Sequence, residues 1–164
     1  MPIGRMLKWL FIGGGIVRLN RQANAAFSRD ENEEALRLLV KAERRYPFYE
    51  VTYHNMGNVL LAMNKDDEAE KAFRQAIDLK PKFVEAMNDL AALLVRKGRK
   101  EEAEALLRKA IGIDPDYPYA HVNLGRLLIG RGSFSEAEGE FEKALESPDL
   151  DEKTRQDLSD DMVL

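Results

Sequence analysis

Apolar residues recur along this chain at helical spacing, and the pattern itself recurs. Over Val51–Met63, the residues Tyr53, Met56, Gly57, Leu60 and Leu61 fall at i, i+3, i+4, i+7 and i+8, the stripe of an amphipathic helix. From about Asp67 to Leu79 a second stripe runs through Ala69, Ala72, Phe73, Ala76 and Ile77. Asn64 stands between the two, and Asp30, Gly98 and Gly132 hold the same place in the other copies. Gly, Asn and Asp are the residues that best tolerate left-handed backbone, so this position predicts a tight turn between two helices. Alanines at 35, 69, 103 and 137, each directly after a glutamate, keep a period of 34 residues. Prolines at 47, 81 and 115 and alanines at 42, 76, 110 and 144 keep the same beat. A fixed period in the range of about 20–50 residues predicts a stacked repeat rather than a single globular core.

Setting the prolines at the thirty-second place gives four blocks, 16–49, 50–83, 84–117 and 118–151. Ala23, Gly57, Ala91 and Gly125 lie where the first helix of each block should meet the second, opposite Ala35, Ala69, Ala103 and Ala137. Such small side chains let helix axes approach at the short end of the ~8–10 Å range. Leu39, Phe73, Leu107 and Phe141 are expected to fill the gap to the next hairpin. Glu34, Glu68, Glu102 and Glu136 fall in the first turn of the second helix, where negative charge suits the helix dipole. Ser133 with Glu136 fits a capping box for the last of these helices. Pro47, Pro81 and Pro115 stop the helices, because proline has no N–H to donate.

This arrangement resembles the tetratricopeptide repeat family, whose period is the same. The resemblance covers residues 16–151 and rests on several positions that agree in all four blocks. It departs from the family at the aromatic fourth place, which reads Leu19, Tyr53, Met87 and His121. Gln22 replaces a leucine, and Pro148 comes one place early. The fold implied is all-α, a right-handed superhelical solenoid of about four antiparallel helix hairpins. An apolar N-terminal segment, 1–15, would precede it and an acidic C-terminal capping helix, 152–164, would follow.

Family geometry assigns the concave face to the second, fifth, sixth, ninth, twelfth and thirteenth places. Here that face includes Asn20 and Asn24 in the first block, and His54, Asn55, Asn58 and Leu61 in the second. Asn88, Asp89 and Val95 follow, then Tyr119, Asn123, Arg126 and Ile129. An amide offers both a donor and an acceptor, so the asparagines could pair with a peptide backbone without reading its sequence. Leu61, Val95 and Ile129 would add an apolar strip. The expected partner is therefore an extended or helical peptide segment of another protein. One specialisation is not matched. Repeats that capture the acidic C-terminal tails of heat-shock chaperones use a clamp of lysine, arginine and asparagine across three blocks. At those places this chain has Asn20, Asn24, Asn55, Glu85 and Asp89, or in the next frame His54, Asn58, Asp89, Tyr119 and Asn123. Carboxylates would repel such a tail. The mixed charges of Arg21, Glu85, Asp89, Arg96 and Arg126 favour a roughly neutral or mildly basic segment instead.

Composition narrows the chemistry. With 45% apolar and 33% charged residues, the 164-residue chain reads as an ordinary helical protein. It has no cysteine, which excludes disulfides and thiol chemistry and permits a reducing compartment such as the cytoplasm. The net charge of −4 is uneven: Arg5, Lys8, Arg18, Arg21 and Arg29 give residues 1–29 a charge of +5, leaving −9 for the rest. So acidic a body argues against a nucleic-acid partner. His121 falls at a core place, and His54 has no second ligand at metal spacing. No phosphate loop, nucleophile elbow or metalloprotease motif occurs, so neither catalysis nor a cofactor is expected.

The ends are less ordinary. Met6–Val17 is apolar, flanked by bases, and holds the one tryptophan. Twelve helical residues span about 18 Å, short of a ~30 Å hydrocarbon core, and no small-residue cleavage site follows. Three readings stay open: a cap over the first block, a membrane-surface or organellar targeting segment through residues 5–17, and a self-association segment. The membrane reading would make the chain a peripheral assembly factor or co-chaperone anchored by that segment, and the last a self-associating structural unit. At the other end Leu158 and Ser159 keep the repeat register, and six acids against two bases over 147–164 suggest a solvated cap.

Overall fold

The computed structural model describes the backbone of residues 3–161 and the side chains of residues 14–159. The described residues form helices and turns only. They divide into two compact units, Met1–Pro81 and Lys82–Leu164. The first holds α1 (Ile3–Phe27), α2 (Asn32–Arg45), α3 (Glu50–Ala62) and α4 (Asp66–Leu79). The second holds α5 (Val84–Arg96), α6 (Lys100–Ile113), α7 (Pro118–Ile129), α8 (Phe134–Glu146) and α9 (Glu152–Asp161). Hairpins pair α1 with α2 and α3 with α4 in the first unit, and α5 with α6 and α7 with α8 in the second. Helix α1 runs unbroken through Gly13–Gly15, so the apolar N-terminal stretch and the first helix of the first block share one rod. The cap, membrane-surface and self-association readings of that stretch turn on side chains of residues 5–13, which lie outside the described residues. No described helix is long and apolar enough to cross a membrane.

Each hairpin turns the same way, for a reason visible in the backbone. Asp30 and Asn64 have φ of 61° and 57°, and Gly98 and Gly132 have 79° and 84°. In the second hairpin the N–H of Lys65 reaches back to Leu60 O (2.9 Å) and that of Asn64 to Leu61 O (3.0 Å). This pair of bonds is a Schellman motif, which satisfies carbonyls that a helix end leaves unpaired. The bonds Glu31 to Ala26, Arg99 to Leu94 and Ser133 to Leu128 repeat it.

The same bonds correct the expected capping box. Ser133 is the N-cap of α8, yet its side chain makes no cap hydrogen bond. A capping box needs the N-cap N–H for the glutamate at the third helical place, and here that N–H is already given to Leu128 O at 3.0 Å. One residue cannot close the outgoing helix and complete a box on the incoming one. The far ends of α2, α4 and α6 obey proline. Tyr46, Lys80 and Asp114 each precede a proline and have left the helical region, with φ of −142°, −132° and −135°.

The small residues do more than shorten the helix separation. A Cβ added at Gly57 would stand 2.4 Å from the Phe73 ring, and one at Gly125 would stand 2.3 Å from Phe141. The phenylalanines thus pack back onto the first helix of their own hairpin, while Leu39 shares a core cluster with Val59 of the next hairpin, as expected for that place. Where the second helix carries Leu39 or Leu107, the first carries Ala23 or Ala91. Glycine goes with phenylalanine and alanine with leucine, so side-chain volume at the crossing is conserved through the chain. At the C-terminal end Leu158 is fully buried, and the Arg155 guanidinium donates to Leu145 O (2.6 Å) and Ser147 O (2.8 Å), closing the end of α8.

Candidate functional site

The fourth place of each block is a core place. Leu19, Tyr53, Met87 and His121 are all buried. Two of them carry a polar tip, and both spend it alike. Tyr53 Oη donates to Pro47 O (2.9 Å), and His121 Nε2 lies 2.8 Å from Pro115 O. A carbonyl only accepts, so His121 Nε2 carries a proton. Its Nδ1 lies 2.6 Å from Glu140 on α8. Burial pushes the Glu140 carboxyl up, but hydrogen bonds from His121 and Lys143 outweigh it and hold Glu140 below the usual carboxylate range. His121 is thus a hydrogen-bonded core residue with both ring nitrogens engaged.

The asparagines proposed for the concave face divide into two kinds. Asn20 is buried between α1 and α3: its Nδ2 donates to Ile16 O (3.1 Å) and Thr52 Oγ1 (2.9 Å). Its carbonyl accepts from Asn55 Nδ2 at 3.0 Å. The second unit repeats the device. Asn88 is buried, accepts from Asn123 Nδ2 (2.8 Å) and donates to Asp89 Oδ1 (3.3 Å). In each unit the pair joins adjacent first helices, α1 to α3 and α5 to α7. Both partners of each pair are amides, so the bond between the two helices is made without a charge. Asn20 and Asn88 are thereby committed within the fold, while Asn55 and Asn123 remain half-buried. The signal was present in the sequence as asparagine at the fifth place of one block and the sixth of the next, 35 residues on.

The remaining candidates scatter in their exposure. In the first unit Asn24 is exposed, and Asn58 and Leu61 are half-buried. His54 is half-buried, its ring centroid 5.9 Å from that of Phe73. In the second unit Val95, Arg126 and Ile129 are exposed, and Asp89 is half-buried. Tyr119 turns its hydroxyl to Asp151 (3.1 Å), the carboxylate that also accepts the N–H of Thr154 at the start of α9. Val95, Asn123 and Arg126 come together in a cleft of about 220 Å³ between α5 and α7, with Ala92 and Leu127 among its walls and Lys100 at its rim. Toward the start of α7 the character changes. Tyr117 and Tyr119 stack at 5.7 Å with tilted rings. Burial first, then the negative charges of Asp89 and Glu85, push the Tyr117 phenol far above its ordinary range, which keeps it a neutral donor. The face therefore runs from aromatic and acidic at one end of α7 to basic at the other. Among the described residues no group of three His, Asp or Glu side chains is placed to hold a metal ion.

Comparison with known proteins agrees with this architecture. Two family profiles, both described as tetratricopeptide repeat, match residues 54–118 and 101–153. No curated protein matches the sequence. Among solved structures, a thermophilic TPR protein of Thermus thermophilus, TTC0263, superposes with a TM-score of 0.78 at 20% identity, covering 89% of this chain and 80% of that one. YrrB, described as a TPR protein with an unusual peptide-binding site, gives 0.66 at 24% identity, covering 79% and 67%. The first TPR of Spaghetti (RPAP3), bound to the HSP90 peptide SRMEEVD, gives 0.68 at 18% identity, covering 73% and 94%. At such identities the likeness establishes the fold, a helical-hairpin repeat of the superhelical class.

Proposed function

Because the chain belongs to the tetratricopeptide repeat family, and so is a protein–protein interaction module, we propose that it is a non-enzymatic adaptor that takes a peptide segment of a partner on the face of its first helices. The observation that carries this reading is the cleft between α5 and α7, where exposed Val95 and Arg126 flank the half-buried Asn123 amide. Asn123 gives its Nδ2 to Asn88, which fixes the amide plane and leaves the carbonyl oxygen as an acceptor for a peptide N–H. Val95 and Ile129, 36% and 40% exposed, supply apolar surface that a partner would remove from water. Arg126 and Lys100 at one end, with Asp89 and Glu85 at the other, suit a polar segment without strong net charge. Two of the similar structures are described as peptide-binding, which supports a peptide as the ligand class.

The test is affinity capture from native lysate read by mass spectrometry, comparing the wild type with Val95→Asp/Ile129→Asp. These side chains are exposed, so helicity should be retained and partner capture lost. Capture unchanged by the double variant, with circular dichroism also unchanged, moves the binding surface elsewhere.

A further inference from the structure

The second helices of the first three blocks should be interchangeable on their outer surface, and one is not. In α4, Arg74 pairs with Glu70 at 2.9 Å, and in α6 Arg108 pairs with Glu104 at 2.9 Å, each an i,i+4 ion pair. The corresponding residues of α2 are Leu36 and Val40. Both are half-buried, and with Met63 at the end of α3 they floor a groove of about 720 Å³. Leu36 and Met63 also rest on the core around Leu39, which makes the floor rigid. Met63 belongs to the following hairpin, so this is not the surface that a preceding hairpin would cover.

The rim inverts the charge of the molecule. Lys41, Arg44, Arg45 and Lys65 line it, against Glu33 alone among acids, in a chain of net charge −4. Arg37 also lines the groove but is already paired with Glu34. Among the described residues Arg44, Arg45 and Lys65 make no ion pair. Interaction with the C-terminal dipole of α2 accounts for Arg44 and Arg45, but not for Lys41 or Lys65.

We propose that the outer face of α2 is a second docking surface, built for an acidic amphipathic helix of a partner protein. The groove follows α2 from Glu33 to Arg45, a rise of about 18 Å, which matches a partner helix of roughly three turns. Apolar side chains at i, i+3 and i+7 would reach Leu36, Val40 and Met63, and flanking carboxylates would meet the rim. The concavity favours a helix over a lipid surface, because a flat bilayer cannot reach a recessed floor that a helix ridge can fill.

The probe is a labelled fifteen-residue helical peptide with leucines at that spacing and glutamates beside them, titrated with the full chain by fluorescence anisotropy. Saturable, salt-sensitive binding is expected. Arg44→Glu/Arg45→Glu, on exposed positions, should weaken it about tenfold or more, as should replacing the peptide glutamates by glutamine. Leu36→Glu/Val40→Arg gives α2 the surface that α4 and α6 already carry, and should abolish binding. Failure to saturate, equal binding of the glutamine peptide, or indifference to Arg44→Glu/Arg45→Glu overturns the proposal. So does flotation with phosphatidylserine vesicles that this variant abolishes while the peptide is ignored, or a dimer in light scattering that the same variant disperses.

Discussion

Replacing Gly57 by alanine should destabilise the protein, although alanine is the better helix former by about 1 kcal/mol. Gly57 lies inside α3, and an ideal Cβ there would stand 2.4, 2.6 and 2.7 Å from three carbons of the Phe73 ring. That ring is fully buried, so it cannot swing into solvent to make room. Overpacking of this kind costs about 1–3 kcal/mol, and the closeness of three contacts places the cost near the upper end, for a net loss of about 1–2 kcal/mol. Phe73→Leu alone leaves space beside the glycine and should cost about 1–2 kcal/mol. Combined, the two substitutions reproduce the Ala23–Leu39 and Ala91–Leu107 pairings that the chain already uses. The double variant should therefore return to within about 1 kcal/mol of the wild type, an interaction energy of about 2 kcal/mol. Urea unfolding of the full chain, followed by circular dichroism, measures all four corners of the cycle. A neutral or stabilised Gly57→Ala, or a double variant as unstable as the sum of the singles, would refute volume conservation at the hairpin crossing.

Three further outcomes follow from single contacts. Asn20→Ala strands the fully buried Thr52 hydroxyl and removes the partner of Asn55, so thermal denaturation should show a loss of about 1–3 kcal/mol, whereas exposed Asn24→Ala should be silent. Glu140 is held below the usual carboxylate range, so the stability it contributes is complete above that range and is lost as pH falls through its folded value. Urea midpoints from about pH 7 to about pH 3 should fall less steeply for Glu140→Gln than for the wild type, and parallel curves would contradict this. Gly98 turns with φ of 79°, so Gly98→Ala should cost about 1 kcal/mol in urea unfolding, while Asn64→Gly at the equivalent turn should cost nothing.

Repetition made the fold legible. Four copies of one pattern set the turn residues, the proline stops and the helix bounds of the second block to within a residue or so, whereas α1 begins at Ile3, well before the first block. Asp30, Asn64, Gly98 and Gly132 were read as left-handed turns, and they are. These features are local: a stripe, a turn and a stop each depend on residues within a few places of one another, and a period repeats that information.

What the amino-acid order did not reveal was which groups meet once the hairpins stack. Asn20 and Asn123 both look like face residues, yet one is buried and wholly committed while the other borders a cleft. Ser133 and Glu136 spell a capping box, but the backbone N–H it requires had already been taken by the preceding turn. Glu140 was one acid among many until α8 laid it beside His121. Leu36 and Val40 read as ordinary members of an amphipathic helix, and only the placing of Met63 beside them makes a groove. The sequence alone settled the hairpins, because each is encoded within its own short stretch. Three-dimensional packing decided the site, because hydrogen-bond partners and clefts arise between helices whose register depends on side-chain volumes spread across separate blocks.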